Sequence, residues 1–251
     1  MTGLQALGVF AAGIGAGTIN TVVGSGTLIT FPVLLAIGLA PVTANVSNTV
    51  GLVPGTLSGA VGYRHELAGQ RQRLLRLGTC SLVGGLIGAV LLLVLPAGAF
   101  RAIVPVLIGL ALVLVVVQPW LTARLTRAGR HPSHRVPAAV LPIGVLLTGV
   151  YGGYFGAAQG VLLLGLLGLL LDEELQRINA AKNVLALLVN AVAAVVFVIV
   201  AHIAWSAAGL VAAGSVIGGQ LGAVVGRRLS PLILRGLIVV IGVIAMISLL
   251  R

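Results

Sequence analysis

The 251-residue chain carries little charge, since Asp, Glu, Lys and Arg together make up 8% of its residues. Soluble proteins contain about 25% charged residues, and 59% of this chain is hydrophobic. Its apolar residues form long runs that are hydrophobic on every face, of which residues 82–95 are an example. A transmembrane β-barrel would instead alternate polar and apolar residues. The composition therefore predicts an all-α polytopic membrane protein.

Acidic residues and cysteine are also scarce. All four acidic residues fall in predicted loops, so no intramembrane carboxylate is expected for a proton relay or a strong cation site; they are Glu66, Asp172, Glu173 and Glu174. The single cysteine, Cys80, lies in an apolar run and excludes a disulfide framework or a cysteine metal cluster. No metal site and no cofactor is predicted. The first ten residues lack the basic region of a secretory signal peptide, so we expect the first helix to be retained.

The net charge of +11 comes from basic residues that are mostly arginines in short loops between the apolar runs. Membrane proteins keep their positive-inside residues in such loops, so the expected partner is the lipid bilayer and not nucleic acid. We expect a multi-pass protein of the cell membrane, plasma or inner. The sequence leaves open whether it is a monomer or a homodimer.

An internal repeat with a constant offset of 134 residues organises the chain. The clearest stretch pairs four residues of the first half with four of the second: Ser81, Gly84, Gly88 and Arg101 with Ser215, Gly218, Gly222 and Arg235. For the glycines of this stretch we predict a role in helix packing, because small residues let membrane helices approach closely. The repeat divides the chain into halves 1–120 and 138–251, joined by a predicted cytoplasmic linker, 121–137.

Each half is predicted to contain one broken-helix hairpin and three transmembrane helices. A continuous helix of 36 residues would span about 54 Å, nearly twice the hydrocarbon core of about 30 Å, and glycines interrupt both long segments near the middle. The predicted elements of the first half are a hairpin at 4–39 and helices at 42–63, 74–95 and 100–120. Those of the second half are a hairpin at 138–171 and helices at 178–203, 206–225 and 231–250.

The positions of the arginines favour inverted halves. If the loop at residues 64–76 is cytoplasmic, two hairpins also place the linker and residues 227–235 on the cytoplasmic side, as the positive-inside rule requires. Counting each interrupted segment as a single crossing would make the halves parallel. It would also send Arg227, Arg228 and Arg235 outside.

The interrupted segments are the predicted substrate site. Inverted-repeat transporters bind substrate near the midplane, where discontinuous helices present free N–H groups and positive helix ends to an anion. The candidates are Asn20, Thr21, Gly24, Ser25, Gly26 and Thr27 at the first interruption, Tyr154, Gly156, Gln159 and Gly160 at the second, and Asn48, Lys182 and Asn183 in the helices that follow. The offset pairs Ser25 with Gln159, and Asn48 with Lys182.

Lys182 is the most informative candidate, because a lysine inside a membrane segment is costly and marks a functional site. The alternative is that its side chain snorkels to the interface, since Arg177 lies only a turn or so away. With Lys182 as the charged lining residue and two amide-rich interruptions, the predicted path suits a small anion.

Several of these segments carry a family resemblance. Residues 23–32 (VGSGTLITFP) and 41–47 (PVTANVS) resemble the glycine-rich signature of the sulfite exporter TauE/SafE family of membrane permeases. Residues 152–156, 180–183 and 218–223 resemble the partner signature of the second half. The resemblance implies duplicated halves and transport of small sulfur-containing anions such as sulfite, sulfoacetate or thiosulfate. Ser25 and Thr27 depart from the denser glycine run that family members often have.

Three functions compete at this point. The first is a permease for a small sulfur-containing anion, and the second is an anion channel, which one sequence does not separate from a permease. The third is an intramembrane hydrolase that would use Ser25 with His202 or His65. The spacing of these residues gives no reason for the serine and a histidine to come within hydrogen-bond reach.

Overall fold

The computed structural model describes residues 1–127 and 137–225, together with the isolated positions 240 and 243. The predicted helix at 231–250 therefore lies, apart from those two positions, outside the described residues. So do Arg227, Arg228 and Arg235, and residues 128–136 of the predicted linker.

The described residues form helices and no strand. The helices are α1 (Gly3–Val22), α2 (Thr27–Ala36), α3 (Pro41–Gly62), α4 (Arg71–Val94), α5 (Ala97–Arg127), α6 (Val140–Tyr154), α7 (Gln159–Leu170), α8 (Leu175–Val200) and α9 (Trp205–Val225). Segments of α4, α5, α8 and α9 are long and apolar enough to cross a membrane. The all-α polytopic fold class is confirmed. The linker is corrected, because α5 continues to Arg127 through the first seven residues assigned to it.

The interruptions bend the chain at equivalent positions. Four residues separate α1 from α2, and four separate α6 from α7. Gly24 has a φ of +90° and Ala158 a φ of +60°, and these residues correspond at the offset of 134. A left-handed residue cannot continue a right-handed helix, and only glycine adopts this conformation at no steric cost. Both interruptions therefore have a left-handed residue at this position, with alanine in place of glycine in the second. The second interruption has a further one, Gly156 with a φ of +76°, whose counterpart Val22 lies in α1.

Contacts between the halves occur in equivalent pairs. Helix α1 packs against α9 just as its repeat counterpart α6 packs against α4, and α3 contacts α9 just as α8 contacts α4. Glycines bring these helices together: a Cβ at Gly84 would lie 2.3 Å from the carbonyl oxygen of Leu146, and a Cβ at Gly218 would lie 2.0 Å from that of Ile14. The packing role predicted for these glycines is confirmed.

Helices α3 and α8, which are repeat counterparts, cross in opposite directions. Near the start of α3, the Ser47 hydroxyl accepts a hydrogen bond from the N–H of Ala204, just beyond the end of α8. In the middle, the Asn190 amide donates to the Thr56 hydroxyl. Tyr63, at the end of α3, shares a buried cluster with a residue near the start of α8, Ala180. Residue numbers thus rise along one helix as they fall along the other.

Two arginine-containing loops meet at one end of the molecule. The Arg177 guanidinium donates to the carbonyl of Ala68 at 3.0 Å, and the Gln70 amide donates to the carbonyl of Arg177 at 3.1 Å. Arg73 and Arg177 both pair with Glu173, at 3.0 and 2.7 Å. The loop after α3 and the loop before α8 therefore lie on the same face.

The interior is more polar than the outer surface of the helices. Apolar side chains of α4 such as Leu82, Val83 and Leu86 are exposed on the outside, as expected for contact with lipid. Threonine, serine and asparagine side chains from α1, α2, α3 and α8 are buried instead. Polar groups are costly in hydrocarbon unless they face the bundle interior, so this distribution places the functional chemistry inside the bundle.

Candidate functional site

The two interruptions touch each other backbone to backbone. The N–H of Gly160 donates to the carbonyl oxygen of Gly24 at 3.0 Å. A Cβ at Gly24 would lie 2.3 Å from the Cα of Gly160, and one at Gly160 would lie 2.4 Å from the Cα of Gly24. Gly26 is close to α1, since its Cβ would lie 2.5 Å from the carbonyl oxygen of Ala16. Packing alone therefore requires glycine at all three predicted site positions.

Two polar side chains at this junction are buried without a protein partner. The Ser25 hydroxyl, which is fully buried, and the Nε2 of Gln159, a residue only 3% exposed, have no hydrogen-bond partner within the described part of the chain. These residues are repeat counterparts. A buried donor without a partner costs about 1–3 kcal/mol, so it is expected to bind something else.

The two interruptions also contain backbone N–H donors without a described partner. The N–H groups of Ser25 and Gly26 in the first interruption, and of Ala157 and Ala158 in the second, make no hydrogen bond to any described residue. They lie in or just before the first turns of α2 and α7, where helices leave N–H groups free and the dipole favours negative charge. The junction is therefore rich in donors contributed equally by both halves.

Asn48 is committed to its own half. Its Oδ1 accepts a short hydrogen bond from the Thr30 hydroxyl, and its Nδ2 donates to the Thr27 hydroxyl at 3.2 Å. Both ends of this amide are thereby used to connect α3 with the start of α2. Asn48 therefore lies beside the start of α2, with its amide held by two threonines.

Lys182 lies against the C-terminal end of α1. Its Nζ donates to the carbonyl oxygens of Asn20 and Thr21, both at 3.1 Å. The side-chain amides of Asn179 and Asn183 also donate to Thr21, at 3.3 and 3.4 Å. Since Lys182 is 0% exposed, its interpretation as a snorkelling interface anchor is wrong. Carbonyl groups at a helix C-terminus lack intrahelical partners, and nearby cations stabilise them.

The equivalent end of α6 is surrounded differently. The Asn45 amide donates to the carbonyl of Tyr154 at 3.0 Å, in the role that Asn179, its repeat counterpart, has at Thr21. Around it the neighbours are aromatic: ring centroids lie 5.7 Å apart for Phe100 and Tyr154, and 5.2 Å apart in an edge-on pair for Phe31 and Phe155. Gly156 completes this end, where its N–H donates to the carbonyl of Tyr151.

Sequence reasoning missed a polar contact between two repeat counterparts. The Thr56 hydroxyl accepts from Asn20 at 3.2 Å and from Asn190 at 3.4 Å. Thr56 and Asn190 are 134 residues apart and are therefore repeat counterparts that bond to each other. Their signal in the sequence was a polar residue at equivalent positions of the two helices.

The hydrolase interpretation is wrong. Ser25 is fully buried, whereas His65, in the short 3-10 helix Arg64–Leu67, and His202, just beyond the end of α8, are exposed. Among the described residues no group of His, Cys, Asp and Glu could hold a metal ion.

The chain has helices long enough to span a membrane, and two interrupted helices meet inside a bundle with a polar interior. These features define a polytopic membrane transporter. The chain belongs to the sulfite exporter TauE/SafE family, whose sequence model matches residues 9–249. It is a multi-pass protein of the cell membrane and not an enzyme.

Its curated relatives are named as probable membrane transporter proteins. The chain is 25% identical to the probable membrane transporter protein YfcA of Escherichia coli K12, over 94% of this chain and 86% of the relative. It is 26% identical to a probable membrane transporter protein of Haemophilus influenzae, over 92% and 89%. It is 25% identical to the probable membrane transporter protein ORF9 of Sinorhizobium sp., over 96% and 91%. No solved structure matches the chain significantly.

Proposed function

We propose that the protein is a permease for small sulfur-containing anions such as sulfite, sulfoacetate or thiosulfate, and that the anion binds where the two interruptions meet. The observation that carries this proposal is the pair of repeat-related polar side chains, Ser25 and Gln159, buried at that junction without a hydrogen-bond partner among the described residues. The description of the family as sulfite exporters supports the choice of sulfur oxyanions.

The chemistry of the junction favours an anion. A sulfur oxyanion only accepts hydrogen bonds, and the free groups here include backbone N–H, hydroxyl and amide donors. Lys182 adds positive charge one helix away. Acidic residues would repel an anion, and none of them lies in α1 to α9. Asp172, Glu173 and Glu174 precede α8, and Glu66 lies in the short 3-10 helix Arg64–Leu67.

The contact between the interruptions favours a carrier over a channel. Gly24 and Gly160 are in backbone contact, which leaves no continuous path between them in this state. Passage requires the junction to open, as alternating access in a carrier does. A pore that conducts without rearrangement would keep the two interruptions apart.

We further propose that the halves are inverted repeats and that the loop at residues 64–76 is cytoplasmic. The opposite directions of α3 and α8 support this arrangement, because counterparts in inverted halves must run in opposite directions. The contact between Arg177 and Ala68 supports it too, because parallel halves would put these loops on opposite faces. The arginines of both loops then obey the positive-inside rule.

The test is counterflow of radiolabelled sulfite in proteoliposomes with Ser25→Ala, Gln159→Leu and the matched control Ser81→Ala. The Ser81 hydroxyl is also buried and without a partner among the described residues, but it belongs to α4, away from the interruptions. We expect Ser25→Ala and Gln159→Leu each to raise the half-saturating sulfite concentration about tenfold, the effect of one lost hydrogen bond to an anion. Ser81→Ala should leave it unchanged. The proposed site would be overturned if all three substitutions had the same effect, or if none of them had an effect.

A further inference from the structure

The lysine at the end of α1 occupies a position with the chemistry of a cation site. Its Nζ lies 3.1 Å from two backbone carbonyl oxygens, those of Asn20 and Thr21. The amide nitrogens of Asn179 and Asn183 donate to the same Thr21 carbonyl. The other end of the Asn179 amide, Oδ1, is buried and has no hydrogen-bond partner in the described part of the chain. The broken end of α1 is therefore surrounded by polar groups of α8, and two of its carbonyl oxygens hold the ammonium group.

Two physical effects make this position attractive to a cation. The C-terminus of α1 carries the negative end of the helix dipole, equivalent to roughly half an elementary charge. Carbonyl oxygens at helix breaks within a membrane are also the groups with which transporters coordinate monovalent cations. Lys182 forms no ion pair with any described carboxylate, so backbone carbonyls alone compensate its charge.

The choice of residue agrees with this interpretation. The chain contains fourteen arginines and a single lysine, and that lysine is Lys182. Arginine presents a planar fork of donors, whereas lysine presents a compact ammonium group with three donors around one centre. A compact charge among several carbonyl oxygens is also what a bound Na⁺ provides. Its repeat counterpart, Asn48, is neutral and held by two threonines, so among the described residues the end of α6 has no cation equivalent to Lys182.

We propose that the ammonium group of Lys182 fills a monovalent-cation site at the broken end of α1, as a cation attached to the chain. The positive charge reaches the first interruption from the second half, which couples the two halves without an ion from solution. Truncating the side chain empties the site, and a small free cation then replaces it. Lys182 is thus a positioning residue that acts on the anion site through α1.

The first test does not depend on the transported substrate. Thermal unfolding in detergent is followed while NaCl replaces N-methyl-D-glucamine chloride at constant ionic strength, for the parent, Lys182→Ala and Lys182→Met. We expect Na⁺ to raise the Tm of Lys182→Ala and to leave the other two unchanged, because methionine fills the space of the lysine stem without supplying charge. A Lys182→Ala protein that folds only in Na⁺ gives the same result more strongly.

The second test rests on the proposed function. Without Na⁺, sulfite uptake by Lys182→Ala is expected to fall about ten- to a hundredfold, the range for lost charge-assisted hydrogen bonds. Adding Na⁺ or methylammonium should restore it, whereas Lys182→Met should stay impaired. If the parent does not transport sulfite but Na⁺ still stabilises Lys182→Ala selectively, the substrate assignment fails and the cation site stands. A Lys182→Ala protein indifferent to Na⁺ and methylammonium in Tm, or unfolded in their presence, would overturn the proposal.

Discussion

The two interrupted helices share a left-handed residue, Gly24 in the first and Ala158 in the second, and have different surroundings. The end of α1 is bound by Lys182, Asn179 and Asn183, whereas the end of α6 is bound by Asn45 and packed among aromatic rings. Phe155, one of these rings, has Thr21 as its repeat counterpart. The two ends thus share a left-handed residue and a capping asparagine but differ in their neighbours. In the inverted arrangement that we propose, these ends face opposite sides of the membrane, which would give the junction one polar, charged side and one apolar side.

The largest effect is expected from the bend itself. Gly24→Ala adds a Cβ 2.3 Å from the Cα of Gly160, at a residue with φ of +90°. Left-handed strain and overpacking together cost about 2–5 kcal/mol, so this variant should show a much lower Tm in detergent and lose sulfite uptake.

The counterpart substitution, Ala158→Gly, should change the free energy of unfolding by about 1 kcal/mol or less, because relief of left-handed strain offsets the lost methyl group. Gly209→Ala is the matched control, since nothing lies within 4 Å of a Cβ at Gly209. If Gly24→Ala is as stable as Gly209→Ala, the backbone contact between the interruptions is wrong.

A smaller effect separates the two capping asparagines. Asn45→Ala leaves the Tyr154 carbonyl without its described side-chain donor, whereas Asn179→Ala leaves Thr21 bound to Lys182 and Asn183. We expect Asn45→Ala to cost about 1–2 kcal/mol, the upper range for hydrogen bonds between membrane helices, and Asn179→Ala to cost clearly less. Chemical denaturation in mixed micelles measures both values. A larger loss for Asn179→Ala would contradict the structural difference between the two ends.

The smallest effect concerns Glu173, whose ion pairs with Arg73 and Arg177 lie where the loop after α3 meets the loop before α8. Hydrogen bonds from Arg177 and Arg73 lower the pKa of Glu173, so the folded pKa lies below the unfolded one. The pairing therefore stabilises the fold above the unfolded pKa of about 4.3, and this contribution is lost as pH falls through the folded pKa.

Because the Glu173 pairs are partly exposed, Glu173→Gln should cost about 1 kcal/mol or less at neutral pH. The difference in Tm from the parent should vanish in acid. Glu174→Gln, at an exposed neighbouring residue, is the control. A difference between parent and Glu173→Gln that persists in acid would exclude the ion pairs as its cause.

Within the described residues, the helices begin and end near the stretches that hydrophobic runs and glycine clusters indicate, because both are local signals. The repeat offset also pairs Ser25 with Gln159, which the structure leaves as buried polar side chains without a described partner. The sequence could not predict that α5 continues to Arg127. Polar residues such as Thr122 and Arg124 after an apolar run are as compatible with a loop as with a helix that leaves the membrane.

Long-range contacts were beyond the sequence. The partners of Lys182 are backbone carbonyls about 160 positions away in the chain. Every residue has a backbone carbonyl, so residue identity does not predict these contacts. The bond between Thr56 and Asn190 likewise depends on how the halves cross. The left-handed Ala158 was missed because alanine is a common helix residue.

The most direct measurement of the central claim is the position of the anion. Selenite is an analogue of sulfite, and its selenium atom can be located by anomalous scattering in crystals of the protein. The account predicts a selenium peak at the junction of the interruptions, with selenite oxygens within hydrogen-bond distance of Ser25 Oγ and Gln159 Nε2. A selenium peak elsewhere in the bundle, with both side chains still without a partner, would contradict it.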